Sequence, residues 1–238
     1  MKRLGLLLLG SMMALPAAAQ VVAYTLVPAA LAGHRTVAIL PFEVTQDRLR
    51  ARDIRYGGAD TAAATRQRLS QERTARQQRE IQTTAYRLQA LLYAQLLAQA
   101  PARGYTVVFQ PVSETNQRLL AAGINYQSLP DQTMSDLQRA LGVDAILSGQ
   151  TRLYQPLPKG AEIALRVLSG ESIIRLPNQS SVVPRSKATT NFTIHDCATG
   201  QLAWRLDQQR AGEAALKPER LAKDLVRAAL PAFPYKHQ

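Results

Sequence analysis

The residue types that most readily do chemistry are few here: His34, His195, His237 and Cys197. Only the run His195-Asp196-Cys197 brings such residues together. Neighbours on a strand point to opposite faces, so His195 and Cys197 share a face and Asp196 does not. Two ligands do not make a zinc site, which takes three or four. Gly57-Gly58 lacks the Lys-Ser/Thr that completes a phosphate loop. No serine stands in a nucleophile-elbow sequence. The chain is therefore expected to be no enzyme, with no catalytic residue, no metal and no cofactor. Cys197 reads as a small residue near a turn, and as the sole cysteine it has no partner for an internal disulfide.

A second pattern points to binding. Ten arginines lie between Arg48 and Arg87, against Asp53, Asp60, Glu72 and Glu80. Within the helical stretch, Arg66, Arg68, Arg73, Arg76 and Arg79 form a candidate face for an anionic surface. The plainer reading of the same residues is a solvated helix face. The formal charge of the whole chain is +12.

Lys2 and Arg3 precede an apolar run and then Ala17-Ala18-Ala19, the layout of a secretory signal peptide. Cleavage is expected after Ala19, leaving a charge of +10 and no transmembrane helix. Residues 1–19 are thus assigned as signal, 20–34 as an extended lead-in or added edge strand, and 35–238 as one α/β domain. An exported chain with one cysteine must rely on its core for stability, which its length allows. Export to the periplasm or cell envelope, with outer-membrane association as an option, argues against nucleic acid as the anionic partner. An envelope protein, or a lipid or cell-wall polymer, is expected instead, and a homo-oligomer is compatible with the pattern.

The elements follow from periodicity. Thr36-Val37-Ala38-Ile39-Leu40-Pro41-Phe42 reads as a buried strand closed by a proline, opening a strand over residues 34–45. Residues 46–60 read as a loop. Residues 61–99 read as one long helix, with Ile81, Ala85, Leu88, Leu92 and Leu96 as its packing face. Its Arg/Gln-rich first half, 61–80, is expected to project into solvent or to be partly disordered. A strand over 105–111, helices over 113–122 and 130–141, and a strand over 144–154 come next. Ala145-Ile146-Leu147 is too apolar for a one-sided strand. Residues 161–186 read equally as a hairpin or a short helix. Strands over 188–194 and 202–206 pair across the turn Asp196-Cys197-Ala198-Thr199-Gly200, with Trp204 in the core. A helix from Lys217-Pro218-Glu219 closes the chain. The expected class is α/β: a layered sheet of about five strands flanked by helices, with a long helix near the start and a hairpin plus helix at the end.

This order resembles the CsgG/LpoB/TolB-amino-terminal group of bacterial envelope proteins. That group takes in the curli secretion component, the penicillin-binding-protein activator and the first domain of the Tol propeller protein. Four pieces carry the resemblance: Val37 to Phe42, Leu141 to Gly149, the hairpin turn with Trp204, and the last helix. The resemblance implies a non-catalytic protein that binds a protein or cell-wall partner, or alternatively an oligomeric, outer-membrane-associated assembly or secretion component. It supplies no catalytic residues. The lipid-anchoring cysteine of some members is absent from this sequence. The insertions that build a channel would have to fall at 160–186 or 46–60, and neither alternates at spanning length.

Overall fold

A computed structural model describes residues 20–48, 63–156 and 185–237. The segment left open between hairpin and helix, 161–186, lies almost wholly outside them, as do the signal assignment and most of the 46–60 loop.

The strands are β1 (Gln20–Thr25), β2 (Thr36–Ile39), β3 (Glu43–Arg48), β4 (Val108–Phe109), β5 (Ala145–Gln155), β6 (Lys187–Asp196) and β7 (Leu202–Ala211). The α-helices are α1 (Pro28–Gly33), α2 (Ala63–Ala98), α3 (Val112–Ala121), α4 (Met134–Leu141) and α5 (Pro218–Ala229). One mixed sheet runs β1-β7-β6-β5-β2-β4, and β3 also pairs with β5. The layered α/β class holds, with seven strands rather than about five. The lead-in supplies β1, antiparallel to β7. The opening strand breaks at Pro41 into β2 and β3, both parallel to β5.

That break is a bulge. Ile39 faces Leu147 and Glu43 faces Gln150, so the broken strand advances four residues while β5 advances three. The Phe42 ring occupies the space beside Gly149, where any Cβ would overlap it. Side chains satisfy the backbone groups the break releases. The Tyr126 hydroxyl donates to the Phe42 carbonyl at 3.1 Å and accepts from the Val44 amide at 3.2 Å. Gln89 Nε2 donates to the Ile39 carbonyl at 2.7 Å.

The core has two parts. The larger packs α2 and α5 onto one sheet face, through Leu88, Leu92, Leu225 and Val226 against Ile39, Leu147, Phe192 and Trp204. The smaller packs α3 and α4 onto the other, through Leu119, Leu137 and Leu141 against Ala38, Leu40 and Ile146. Helix α4 starts on a Thr133 cap that accepts the Asp136 amide, and ends at Gly142 in the left-handed conformation, as its sequence requires. Trp204 is fully buried, with its Nε1 donating to the Ala232 carbonyl at 3.0 Å. No helix among the described residues is long and apolar enough to cross a membrane.

Candidate functional site

Helices α3 and α4 cover only the parallel end of their sheet face. Beyond it no described helix covers the antiparallel strands, and their side chains on this face are exposed or half-buried. Tyr24, Arg205, Thr193 and Ser148 form one row across β1, β7, β6 and β5. Val22, Asp207, Asn191, Gln150 and Glu43 form the next, which reaches β3. Strand β6 shows the cause: exposed or half-buried Lys187, Thr189, Asn191 and Thr193 alternate with buried Ala188, Thr190, Phe192 and Ile194. Contacts on the open face are polar. Ser148 and Thr193 hydroxyls lie 2.9 Å apart, Gln150 Nε2 donates to Glu43 at 2.8 Å, and Arg205 Nε donates to Asp207 at 2.9 Å. The Lys187 ammonium sits 5.5 Å from the centre of the Tyr154 ring.

Where the open face meets the helices, a cleft of about 480 Å³ opens at the strand break. Pro41, Gly149 and Ser148 are at its floor, and Ile81, Leu129, Met134 and Leu137 give it aliphatic walls. Gln78, Gln127, Gln132 and Gln150 supply amides, and Glu43 and His195 stand at the side shared with the open face. It lies at the carboxyl end of β2, where ligands of open parallel sheets usually bind. Burial pushes the His195 imidazole down, against a hydrogen bond to the Gly200 backbone that raises it.

The other titratable cluster is buried. His34 Nδ1 lies 2.7 Å from the Tyr235 hydroxyl, and Nε2 lies 2.9 Å from Asp196 Oδ1. Asp196 Oδ2 accepts from the Thr199 amide at 2.7 Å and the Thr199 hydroxyl at 2.5 Å. A Tyr-His-Asp relay has the parts of acid-base chemistry, but a relay must reach its substrate. Here His34 is 4% exposed, Tyr235 0% and Asp196 6%. The cluster instead ties the start of β2, the β6–β7 turn and the C-terminal tail together. Burial raises the Asp196 carboxyl, but the bonds from Thr199 and His34 outweigh it and hold it below the ordinary range. Asp144 behaves alike: burial raises it, and bonds from the Arg35 and Thr36 amides and the Thr36 hydroxyl lower it further. Burial, with Asp196 and Asp144 nearby, pushes the Cys197 thiol up to about 12, so at neutral pH it is not a thiolate nucleophile.

The reading of Cys197 as a small residue near a turn holds, and the residue is buried there. The sequence reading missed the His34–Asp196–Tyr235 cluster, whose members lie 162 and 201 residues apart and carry no local motif. Tyr126 is half-buried with its hydroxyl bound to backbone, while Tyr24 is exposed. Among the described residues no group of three or more potential ligands could hold a metal.

The arginine segment stands apart. Residues 67 to 79 of α2 are exposed, apart from half-buried Leu69. At about 100° per residue, the five arginine positions span an arc of roughly 160° centred opposite the packing face. Arg68, Arg73, Arg76 and Arg79 are exposed; the side chain of Arg66 lies outside the described residues. Glu72 shares this arc, with an oxygen 3.8 Å from Arg68 Nε.

The chain matches no protein-family model, and no curated protein matches it in sequence. Several solved structures are similar. The PelC dodecamer from Paraburkholderia phytofirmans is 11% identical, over 93% of this chain and 100% of that one, with a TM-score of 0.39. A lipoprotein from Neisseria meningitidis is 12% identical, over 82% and 94%, with a TM-score of 0.41. The LpoB C-terminal domain from Salmonella enterica, a member of the group that the sequence resembles, is 10% identical over 75% and 82%, with a TM-score of 0.28. Likeness at this level assigns no function to this chain.

Proposed function

We propose that the chain is a non-catalytic, exported envelope protein that binds a protein or cell-wall partner through the open sheet face and its adjoining cleft. The observation that supports this most is the placement of its chemistry. Of the groups with catalytic potential, His34, Tyr235 and Cys197 are buried; His195 is half-buried at the cleft and His237 is exposed. The exposed rows offer tyrosine and arginine beside hydroxyls and amides, the residue types that interfaces favour. A photo-crosslinker at Gln209 on this face, carried by the full chain in intact cells, tests it. A crosslinked envelope partner is expected, lost when Arg152 and Asn191 are both replaced by Glu. Capture that survives this double change overturns the assignment of the face.

The arginines of α2 support a second contact of the same protein. Arg66, Arg68, Arg73, Arg76 and Arg79 are assigned to an anionic lipid or cell-wall surface, on the strength of their common arc and the exposure of four of them. Exposed charges are screened over about 8–10 Å at 0.1–0.15 M salt. Sedimentation with anionic vesicles should fall as salt rises, and fall again when all five become Gln. Binding unchanged by both leaves the segment a solvated helix. The alternative reading, an oligomeric outer-membrane-associated assembly component, is favoured by β1: an edge strand with Val21, Val22 and Tyr24 exposed. Sedimentation velocity of the purified chain separates a monomeric binder from an assembly.

A further inference from the structure

The cleft at the strand break differs in charge from the protein that carries it. The chain as a whole is strongly basic at +12. Among the described residues lining the cleft, Glu43 alone carries a full charge, and no Lys or Arg joins it. His195, the other ionisable group on the open-face side, is pushed toward its neutral form by burial. Among these residues an acidic ligand meets no Lys or Arg, whereas a cationic one meets a carboxylate.

The rest of the lining narrows the ligand further. Gln78, Gln127, Gln132 and Gln150 each offer both a carbonyl acceptor and amide donors. A peptide backbone presents that same pair of groups at nearly every residue. Ile81, Leu129, Met134 and Leu137 give an aliphatic wall, and the unbranched Met134 adapts to the shape it meets. A volume of about 480 Å³ lies within the range of ligand pockets and holds a short segment, not a folded domain. The row Val22-Asp207-Asn191-Gln150-Glu43 leads from the open face directly to the carboxylate.

We infer that the cleft takes a short peptide segment of the partner, in which an aliphatic side chain enters the wall and an adjacent Lys or Arg pairs with Glu43. This rests on the binding function proposed above and names the chemistry of the partner at one place. The segment's backbone bonds to the glutamine amides, and its basic group lies within reach of a carboxylate that Gln150 already orients.

The test is an amide-resolved NMR titration of the full chain with acetyl-Leu-Lys-Leu-amide, acetyl-Leu-Glu-Leu-amide and the trimer of N-acetylglucosamine. The lysine peptide should shift the amides of Glu43, Ile81, Met134 and Gln150. It should bind about two- to fivefold more tightly than the glutamate peptide, the size of an exposed ion pair. Glu43→Gln should abolish that preference and Glu43→Lys reverse it. Met134→Ala should weaken both peptides alike, with the preference kept. Glu43 is exposed, so its two variants should melt with the wild type. Equal binding of the two peptides, a preference indifferent to residue 43, shifts confined to other surfaces, or binding of the saccharide at these four amides would each overturn the inference. Persistence of the Gln209 crosslink beside such a result discards the cleft ligand alone. Loss of the crosslink with the lysine preference intact discards the open face and keeps the cleft.

Discussion

The two halves of the sheet share a core on one face and differ on the other. Around β2, β4 and the start of β5, helices cover both faces, and the strands read as continuous apolar runs such as Val37-Ala38-Ile39 and Ala145-Ile146-Leu147. Around β1, β7, β6 and the far part of β5, helices cover one face, and buried residues alternate with exposed polar ones. The change falls inside β5, at Ser148 and Gly149, opposite the bulge of the broken strand. Parallel strands need crossover helices, and those helices land on the sheet; an antiparallel hairpin needs none and leaves a face free. Both halves share the larger core on the opposite face, which includes Phe192, Trp204 and Leu206 of the open half. The open half alone leaves its second face for the partner proposed above.

The largest test of that contrast pairs one substitution in each half. Ile146 is fully buried under α3 and α4. Ile146→Asp places an unpaired charge there and should destabilise the fold by about 4 kcal/mol or more. Thr189→Asp, on the open face, should change stability by no more than about 0.5 kcal/mol. Denaturant melts of the two variants check this. An Ile146→Asp protein that melts with the wild type would remove the distinction between the halves.

The next test addresses the boundary. Gly149→Ala puts a methyl group into the Phe42 ring. Overpacking of this kind costs about 1–3 kcal/mol. Phe42→Leu made together with Gly149→Ala should recover part of the loss, because the two sites share one space and so are not additive. Urea melts of both singles and the double form the cycle. A strictly additive double would mean that the ring does not fill the space over Gly149.

How much of this the sequence showed follows the same division. The covered half was legible because its signals are local: an apolar run for β2 and a three-and-four spacing for α2 from Ile81 onward. The hairpin was legible from its alternation and its Asp-Cys-Ala-Thr-Gly turn. Strand β3 was read as the end of one strand and the start of a loop. Its inward positions are Val44 and Gln46, and a buried glutamine gives no apolar beat to count. Strand β1 was open between lead-in and edge strand, since its partner β7 lies some 180 residues away in sequence. The cleft had no signal at all. Its walls come from α2, α4, the 127–132 loop and three strands, and each residue taken alone is ordinary.

The smallest effect expected is the acid limb of stability, and it belongs to the seam that ties the two halves together. Asp144 anchors the start of β2 to the start of β5 through the Arg35 and Thr36 amides, each at 2.8 Å. Asp196 anchors His34 and Thr199 at the hairpin turn. Both carboxyls are held below their ordinary range when folded. In the unfolded chain they return to about 3.9. The unfolded state thus binds protons first as pH falls, so this contribution is full above about pH 4 and is lost below it. His195 adds an earlier step: its imidazole is pushed down by burial, so below about 6.5 the unfolded chain takes the proton and the fold does not. The melting temperature should therefore decline gently from pH 7 and more steeply below 4. Asp144→Asn and Asp196→Asn should each start lower at pH 7 and show a shallower fall below 4, while His195→Asn should flatten only the earlier part. Parallel curves for all four proteins would show that these carboxylates do not bear the seam, and that the two halves are joined by their shared apolar core alone.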